Sequence, residues 1–290
     1  MVQYPNPRMA GSLYVVSTPI GNLDDITVRA LHTLKSVGLI AAEDTRRTGL
    51  LLRHFGIATP TTSLHAHNES EKVPALVRKL ADGVDIALVS DAGTPLVADP
   101  GQRLIESARD QGVRIIPIPG ASAVLAALAA AGTPANEFVF AGFAPARSTH
   151  RKSWLQSLAA ESRTVVFFEA PHRILKTLSD MCEILGDRPI TIARELTKLH
   201  EEVLHTTARD APELNISPRG EFTIVLKPHA TPEISPETID DSAVSAYFYH
   251  LTNNFVLSRR EAVTRTAHKF GLSPNDVYDR LERLKASPQP

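Results

Sequence analysis

The amino-acid sequence predicts an α/β protein, with two α/β domains followed by a small helical domain. Three observations lead to this prediction. Apolar runs of strand length alternate with helical patterns along most of the chain. The alternation pauses around residues 133–137 and restarts, and a proline-containing segment later precedes a helical C-terminal part. A chain of 290 residues, 43% of them hydrophobic, has enough material for about two domains.

The first α/β domain is predicted over residues 11–118. Its strands are expected at Leu13–Ser17, Leu39–Ala42, Ile86–Val89 and Ile115–Pro117. Helical patterns lie at Asp25–Ser36, Val73–Asp82, Gln102–Gln111 and, beyond the last of these strands, Ser122–Ala131. The third strand is apolar on both faces, which is typical of a buried strand in a parallel sheet. This order predicts a mostly parallel sheet covered by helices.

The second α/β domain is predicted over residues 119–228, where the same alternation returns. Its strands are expected at Phe138–Gly142, Thr164–Phe168, Ile190–Arg194 and Phe222–Lys227, with a helix at His172–Leu185. Residues 229–240 contain prolines and few apolar residues, so they are interpreted as a linker.

Residues 241–290 are predicted to form a helical tail. An apolar-spaced helix is followed by a turn at Gly271 and by a helix that starts at Ser273-Pro274. Two short helices joined by a glycine turn have the outline of a helix-turn-helix. Because the same outline occurs in proteins that never touch nucleic acid, nucleic-acid contact and structural packing both remain open.

Charge, cysteine content and hydropathy limit the class of protein. Lysine and arginine (31) balance aspartate and glutamate (32), so an overall basic signature for nucleic acid is missing. The single cysteine, Cys182, excludes an internal disulfide and fits a reducing compartment. The N-terminal residues lack the apolar core of a signal peptide, and the most apolar tract, Ala121–Ala131, is too short to span a bilayer. We expect a cytoplasmic protein without a membrane partner.

The loop after the strand Ile86–Val89 is the first candidate site. It contains small and polar residues: Ser90, Asp91, Ala92, Gly93, Thr94 and Pro95. Gly93 permits backbone dihedrals that a side chain would forbid, and Pro95 fixes the exit direction. Ligands of open α/β sheets bind outside the carboxyl ends of the strands, where this loop should lie. The carboxylate of Asp91 suits an amine or hydroxyls rather than a polyphosphate, although a plain surface turn would also fit the pattern.

Further candidate loops follow other predicted strands. They are STPIGNL at 17–23, AAEDTRR at 41–47, PGAS at 119–122, and ARELTK at 193–198 together with RGEF at 219–222. Neither a G-x-G-x-x-G turn nor a P-loop is present. The acids and arginines of AAEDTRR are costly to bury, so they must be paired or face a site. In PGAS, free amides and the Ser122 hydroxyl could hold a carboxylate at a helix N-terminus.

Taken together, these motifs resemble a known family. STPIGNL, AAEDTR, LVSDAGTP, PGAS, ARELTK and RGEF, in this order between about Leu13 and Lys227, are similar to the tetrapyrrole methylase superfamily of S-adenosylmethionine-dependent methyltransferases. Within it, the similarity is greatest to the branch that 2′-O-methylates a cytidine in the decoding centre of 16S rRNA. The first loop lacks the glycine-rich turn of the precorrin methylases, which favours the rRNA branch.

The resemblance implies that S-adenosylmethionine binds in the cleft between the two α/β domains of a class III methyltransferase, usually a homodimer. The cofactor-binding residues that it implies are Pro19, Ser90, Asp91, Ala92, Gly93, Pro95, Ala121, Ser122, Ala123, Phe168, Ala193, Gly220 and Phe222. The STPIGNL and EDTR loops would face the acceptor, 16S rRNA in the small ribosomal subunit. The substrate-binding candidates in and near these loops are Asn22, Arg46, Arg47, His67 and Asn68.

For catalysis, the EDTR loop offers two carboxylates next to arginines. A ribose 2′-hydroxyl is a poor nucleophile at neutral pH, so a positioned proton acceptor should help. We hypothesise that Glu43 or Asp44 takes this proton, while Arg46 and Arg47 bind the flanking phosphates. The alternative is an internal i,i+3 ion pair between Glu43 and Arg46.

Two other polar segments have competing interpretations. Arg147, Arg151 and Lys152 lie in a stretch without acids and are predicted to contact phosphates. His65-Ala66-His67-Asn68-Glu69 could suggest zinc, but no second cluster completes a tetrahedral site, so no metal is expected. RNA contact and an exposed polar loop remain the two interpretations of this second segment.

Two other functions stay open at the level of sequence. A methyltransferase of the same fold could act on a tetrapyrrole, in which case the helical tail would have no role in catalysis. A non-catalytic RNA-binding module could have kept the fold and would bind ligands without turnover.

Overall fold

The computed structural model describes residues 10–229, 240–254 and 258–286. The chain divides into two compact units, Met1–His229 and Ala230–Pro290. The predicted linker at 229–240 lies, apart from its first and last residues, outside the described residues, as do 255–257 and 287–290 of the predicted tail.

The larger unit begins with a five-stranded sheet. Its strands are β1 (Ser12–Val16), β2 (Leu39–Ala42), β3 (Thr61–Ser63), β4 (Ile86–Val89) and β5 (Arg114–Ile118). They are ordered β3-β2-β4-β1-β5 and all pairs are parallel, which confirms the predicted parallel sheet. The helices of this part are α1 (Val28–Ser36), α2 (Thr45–His54), α3 (Glu69–Ala81) and α4 (Gln102–Asp110).

Helices cover both faces of this sheet because the apolar residues of β4 alternate between two cores. Ile86 and Leu88 pack with residues of α3 and α4. Ala87 and Val89 pack on the other face with residues of α1 and α2. All four residues of β4 are buried, as expected for a central parallel strand. Its carboxyl end therefore opens at the middle of the sheet edge, where ligands bind in such folds.

The second sheet of the same unit is mixed. Its strands are β6 (Phe138–Phe143), β7 (Thr164–Glu169), β8 (Pro189–Arg194), β9 (Glu202–Thr207) and β10 (Phe222–Leu226). The order is β6-β7-β10-β8-β9, with β6 parallel to β7 and every other pair antiparallel. Its helices are α5 (Ala123–Ala131), α6 (Ser148–Ala159) and α7 (Ile174–Leu185). The edge strand β9 is absent from the sequence-based prediction.

The two faces of this sheet are also both covered. Val124 and Leu128 of α5 pack against Val166 of β7 and Val225 of β10. On the opposite face, Phe167 of β7 packs with residues of α6 and α7. The protein thus has the predicted α/β architecture with two sheets.

The described residues of the smaller unit form a cluster of three helices. Its helices are α8 (Asp241–Asn254), α9 (Arg259–Phe270) and α10 (Pro274–Ala286). Gly271 ends α9 in the left-handed conformation, with φ 64°, which glycine adopts without strain. Side chains of all three helices, among them Val244, Val263 and Val277, form one core. No helix among the described residues is long and apolar enough to cross a membrane.

Candidate functional site

A cavity of about 460 Å³, here called the central cavity, is lined by residues of both sheets of the larger unit. From the loops of the first sheet and the start of α5 come Ile20, Glu43, Arg47, Asp91, Ala92, Gly93, Thr94, Val97, Ala98, Asp99, Ser122, Ala123 and Val124. The second sheet and the loop after β7 contribute Phe143, Phe168, Glu169, Ala170, Pro171, Glu221, Phe222 and Thr223.

The loop after β4 forms much of the first wall. Gly93 is anchored to the loop after β1, because its backbone N–H donates to the Thr18 carbonyl (3.1 Å) and its carbonyl accepts from the Thr18 N–H (2.8 Å). Gly93 has φ 76°, which explains the glycine in this motif. Leu96 and Ala98 also have positive φ, of 76° and 68°. Such strain in residues with a side chain is typical of ligand clamps.

Three carboxylates of this wall lie near one another, and two of them link the loops after β2 and β4. The Asp91 Oδ1 accepts from the Asp44 backbone N–H at 3.0 Å, and its Oδ2 pairs with the Arg47 Nη1 at 3.3 Å. In return, the Asp91 backbone N–H donates to the Glu43 Oε2 at 3.3 Å. Glu43 and Asp91 are thereby fixed side by side on the cavity wall, and the negative charge of each raises the pKa of Asp99.

The environments of Glu43 and Asp44 differ sharply. Burial, with the charge of Asp91 adding to it, raises the pKa of Glu43. The hydrogen bonds from Arg46 hold the pKa of Asp44 well below its usual range. Asp44 is also the N-cap of α2, accepting from the Arg46 N–H at 2.8 Å, and its carboxylate pairs with the Arg46 guanidinium at 2.7 Å. The proposed Glu43–Arg46 pair is therefore replaced by Asp44–Arg46, and Asp44 is a poor candidate for proton acceptor.

Burial raises the pKa of Asp99 to about 6, and the nearby charge of Glu43 adds to this effect. Asp99 titrates near 3.8 when unperturbed, so on raising the pH the unfolded chain loses this proton first. The contribution of Asp99 to the stability of the folded protein should consequently fall as the pH rises from 3.8 to about 6.

Asp99→Asn is expected to remove the free-energy cost of ionising a carboxyl at this position in the folded protein. Its melting temperature should exceed that of the wild type at about pH 8, and the gain should be much smaller at about pH 4, where the Asp99 carboxyl of the folded wild type is protonated. Thermal unfolding at the two pH values tests the prediction, with the exposed Asp110→Asn as control. A gain that is equal at both pH values would contradict it.

The second sheet supplies an aromatic wall. Gly142, with φ 67°, lies at an irregularity of β6, after which Phe143 is exposed at the cavity. The ring of Phe143 contacts that of Phe168 edge to face, with centroids 5.4 Å apart. Below them, the buried Glu169 pairs with Arg173 at 2.6 Å and also accepts from the Thr177 hydroxyl, which fixes the loop after β7.

The sequence-predicted cofactor residues divide into two groups. Seven line the central cavity: Asp91, Ala92, Gly93, Ser122, Ala123, Phe168 and Phe222. Six do not, and for them direct contact with a ligand in this cavity is not supported: Pro19, Ser90, Pro95, Ala121, Ala193 and Gly220.

The structure gives a physical reason for each of these six. Pro95 and Ala193 are buried, Ala193 within the core that supports α5. Pro19 and Ser90 line a neighbouring pocket, and Ala121 lines an open groove at the start of α5. Gly220 has φ 87°, and a Cβ there would lie 2.4 Å from the Glu195 side chain, so the backbone before β10 accounts for this glycine without a ligand.

Sequence reasoning missed part of the cavity. Val97, Ala98 and Asp99 continue the predicted loop. Glu169 ends β7, and Ala170-Pro171 follows this strand in the same way as the recognised motifs follow theirs. The position after a strand was the available signal for both. For Phe143 no signal existed, because the irregularity that exposes it is a property of the folded strand.

Several predicted substrate-binding residues have structural roles. The Asn22 side chain caps the short 3-10 helix Leu23–Asp25, accepting from the Asp24 N–H at 3.1 Å. Asn68 closes the turn before α3, accepting from the His65 N–H at 2.9 Å and donating to the Ser63 Oγ at 3.2 Å. These contacts engage the amide oxygen of Asn22 and both the oxygen and the NH2 group of Asn68 within the protein.

The other predicted substrate-binding residues of the EDTR and His65–Glu69 segments are more accessible. His67 is exposed, and its ring packs against that of His65, with centroids 6.0 Å apart. Arg46 and Arg47 lie in the first turn of α2, a helix that the sequence analysis did not predict. Both are largely exposed despite their ion pairs. Among the described residues, no group of three or more histidines, cysteines or acids could hold a metal.

The predicted phosphate-binding role of Arg151 is wrong. Its side chain is only 3% exposed, and its Nη2 pairs with the buried Asp180 at 2.6 Å. Its Nη1 donates to the carbonyls of Pro145 and Ala146, so the guanidinium fixes the segment before α6. Lys152 is ion-paired with Glu183 on α7, whereas Arg147 is exposed at the start of α6.

Comparison with known proteins assigns this architecture to a family. Residues 12–212 match the family described as Tetrapyrrole (Corrin/Porphyrin) Methylases. The chain belongs to the tetrapyrrole methylase family. Its relatives include the ribosomal RNA small subunit methyltransferase I of Haemophilus influenzae, 48% identical over 93% of this chain and 96% of the relative. The protein of the same name from a Synechocystis species is 44% identical over 95% and 99%.

Two solved structures share the fold of the larger unit of this chain. A diphthine synthase superposes with a TM-score of 0.61 at 17% identity, covering 75% of this chain and 90% of its own. The uroporphyrin-III C-methyltransferase of Thermus thermophilus, complexed with S-adenosyl homocysteine, superposes with a TM-score of 0.53 at 18% identity, covering 75% and 97%.

The family uses S-adenosylmethionine, and the central cavity fits this cofactor. The cofactor carries positive charge on its sulfonium and ammonium groups. Glu43, Asp91 and Asp99 supply negative charge, and the mutual repulsion of these carboxylates would be relieved by a bound cation. Phe143 and Phe168 offer aromatic surface for an adenine ring.

Proposed function

We propose that this protein transfers the methyl group of S-adenosylmethionine to the 2′-hydroxyl of a cytidine in the decoding centre of 16S rRNA. The name and the high coverage of its relatives support an rRNA substrate in the small ribosomal subunit. The observation that carries the proposal is the placement of Glu43, a partly buried carboxylate of raised pKa, beside the cation Arg47 on the wall of the central cavity. A proton acceptor next to a phosphate-binding cation suits a ribose hydroxyl. The homodimer and the cytoplasmic location remain predictions from the sequence.

In this mechanism the chain positions the acceptor and removes its proton. S-adenosylmethionine, when bound, supplies an electrophilic methyl group. Glu43 accepts the proton of the 2′-hydroxyl as the ribose oxygen forms its bond to the methyl carbon. Transfer of this methyl group would cleave its carbon–sulfur bond, with the electron pair remaining on sulfur. Because the pKa of Glu43 is raised, its carboxylate is a stronger base than an exposed glutamate.

The arginines of α2 would hold the RNA backbone. Arg46 and Arg47 lie at the N-terminal end of α2, whose backbone dipole also favours negative charge. Both guanidiniums are mostly solvent-accessible, so phosphates can reach them without breaking up a core. Arg47 additionally contacts Asp91 and thus connects phosphate binding to the cavity wall.

Methyl transfer from labelled S-adenosylmethionine tests the proposal. The protein is incubated in parallel with unmodified 30S subunits, naked 16S rRNA and a precorrin mixture. We expect label in the RNA of one of the first two samples, at a single cytidine mapped by reverse-transcription stops at low nucleotide concentration. Label in the precorrin sample alone would identify a tetrapyrrole methylase. Cofactor binding without transfer to any of the three would indicate a non-catalytic module.

A further inference from the structure

Beside the central cavity lies a second cavity of about 270 Å³, here called the α2 pocket. It is lined by Thr18, Pro19, Leu23, Arg47, Thr48, Leu50, Leu51, His54, Ser90 and Asp91. We infer that the α2 pocket receives the nucleobase of the methylated nucleotide, extruded from the RNA. This inference rests on the proposed function and names the part of the site that would recognise the acceptor.

The relation of the two cavities is the first argument. They share two residues, Arg47 and Asp91, whose charged groups are 3.3 Å apart. Methyl transfer requires donor and acceptor atoms in contact, so the ribose must lie where the two cavities meet. A nucleotide whose ribose lies at the Arg47–Asp91 pair, with the cofactor in the central cavity, has the α2 pocket available for its base.

The second argument is the chemistry of the walls. Leu50 on α2 is 63% exposed and Leu23 is 37% exposed, although both are large and apolar. Together with Pro19 they offer apolar surface on which the face of a base can pack. His54, exposed at the end of α2, adds a ring that can stack on a base or form a hydrogen bond with its edge.

Hydroxyl and charged groups complete the pocket. Thr18 and Ser90 are buried, and the Thr18 hydroxyl donates to the Ser90 carbonyl at 3.3 Å. A pocket with apolar walls and a few fixed polar groups is typical of sites that bind one small planar ligand. This combination of apolar and polar groups suits a nucleobase better than an aliphatic segment of another protein.

Size and access further restrict the occupant. Pockets for drug-sized ligands have volumes of roughly 300–1,000 Å³, so the smaller α2 pocket suits one base and not a tetrapyrrole macrocycle. Enzymes that act on a nucleotide commonly extrude it from its stack into such a pocket. Arg46, the largely exposed residue directly before Arg47 on α2, could hold the backbone of the extruded nucleotide.

Two substitutions that leave the central cavity unchanged test the inference. Leu50→Trp fills the pocket, and His54→Ala removes its ring. The matched controls are Leu175→Trp on α7, where the leucine is 50% exposed, and His32→Ala on α1, where the histidine is exposed. Melting temperatures establish that all four variants fold, and titration calorimetry with S-adenosyl homocysteine measures cofactor affinity.

We expect each pocket variant to lower kcat/KM for methyl transfer to the RNA substrate by about tenfold or more, as for loss of a base contact. Cofactor affinity should stay within about twofold of the wild type, and the controls should retain full activity. Pocket variants with wild-type kcat/KM would overturn the inference, and so would a parallel loss of cofactor affinity. A wild-type protein that methylates no RNA would instead overturn the proposed function itself.

Discussion

Glu43→Gln is expected to lower the single-turnover rate of methyl transfer by a factor of about 10²–10⁴, the usual contribution of a positioned proton acceptor. Glutamine keeps the shape of the side chain and an oxygen for the hydrogen bond from the Asp91 N–H. It cannot take a proton from the 2′-hydroxyl. The rate is measured at saturating S-adenosylmethionine, so that any loss of cofactor affinity does not enter.

The controls separate Glu43 from its neighbour. Asp44→Asn should change the rate by less than about tenfold, because asparagine also caps helices and the paired Asp44 carboxylate is a weak base. The exposed Glu106→Gln on α4 should be neutral. A larger loss for Asp44→Asn than for Glu43→Gln would reverse the assignment.

The pH dependence follows from the direction of the pKa shift. Because burial raises the pKa of Glu43, its carboxylate becomes protonated at a higher pH than that of an ordinary glutamate. The wild-type rate should therefore decline on acidification while exposed glutamates are still ionised. Glu43→Gln should lack this decline.

The parts of the fold that could be predicted are the buried ones, because burial requires apolar residues in a recognisable pattern. The strand β4 was found because Ile86–Val89 is apolar on both faces, and the loop after it because its residues are small and polar. The helix α2 was missed because its first turn is rich in arginine, so the pattern of apolar residues typical of a helix starts only in its second half. Edge strand β9 was missed because all of its residues are at least partly exposed.

The site was predictable where it follows a strand and unpredictable where it depends on three-dimensional partners. Asp91 was found from its position, but nothing in the sequence shows that it pairs with Arg47, 44 residues away, since pairing requires the loops after β2 and β4 to meet. The choice between Glu43 and Asp44 was open for the same reason. It depends on the cap of α2, which is a property of the fold.

Arg151→Ala is expected to lower the free energy of unfolding of the larger unit by about 3–5 kcal/mol, the usual cost of removing one partner of a buried ion pair. The substitution leaves the Asp180 carboxylate, which is 10% exposed, with the Ser148 hydroxyl and the more distant Lys152 as partners. It also frees the carbonyls of Pro145 and Ala146. Urea denaturation measures the effect.

The single tryptophan makes this measurement local. Trp154 lies on α6 one turn after Arg151, and its ring contacts that of Phe167, with centroids 5.1 Å apart. Its fluorescence therefore reports unfolding where the ion pair is lost. The exposed Arg147→Ala serves as control and should cost less than about 0.5 kcal/mol, as is usual at the surface.

The same pair of variants separates a structural arginine from a phosphate-binding one. If Arg151 bound a phosphate, its removal would reduce the slope of log affinity against log salt concentration by about one and leave stability unchanged. Because its guanidinium is 3% exposed and held by Asp180, we expect the opposite result, with lower stability and an unchanged slope for the folded protein. The prediction from charge failed here because a basic residue in a stretch without acids can still be buried. The carboxylate that neutralises Arg151 is that of Asp180 on α7, 29 residues along the chain.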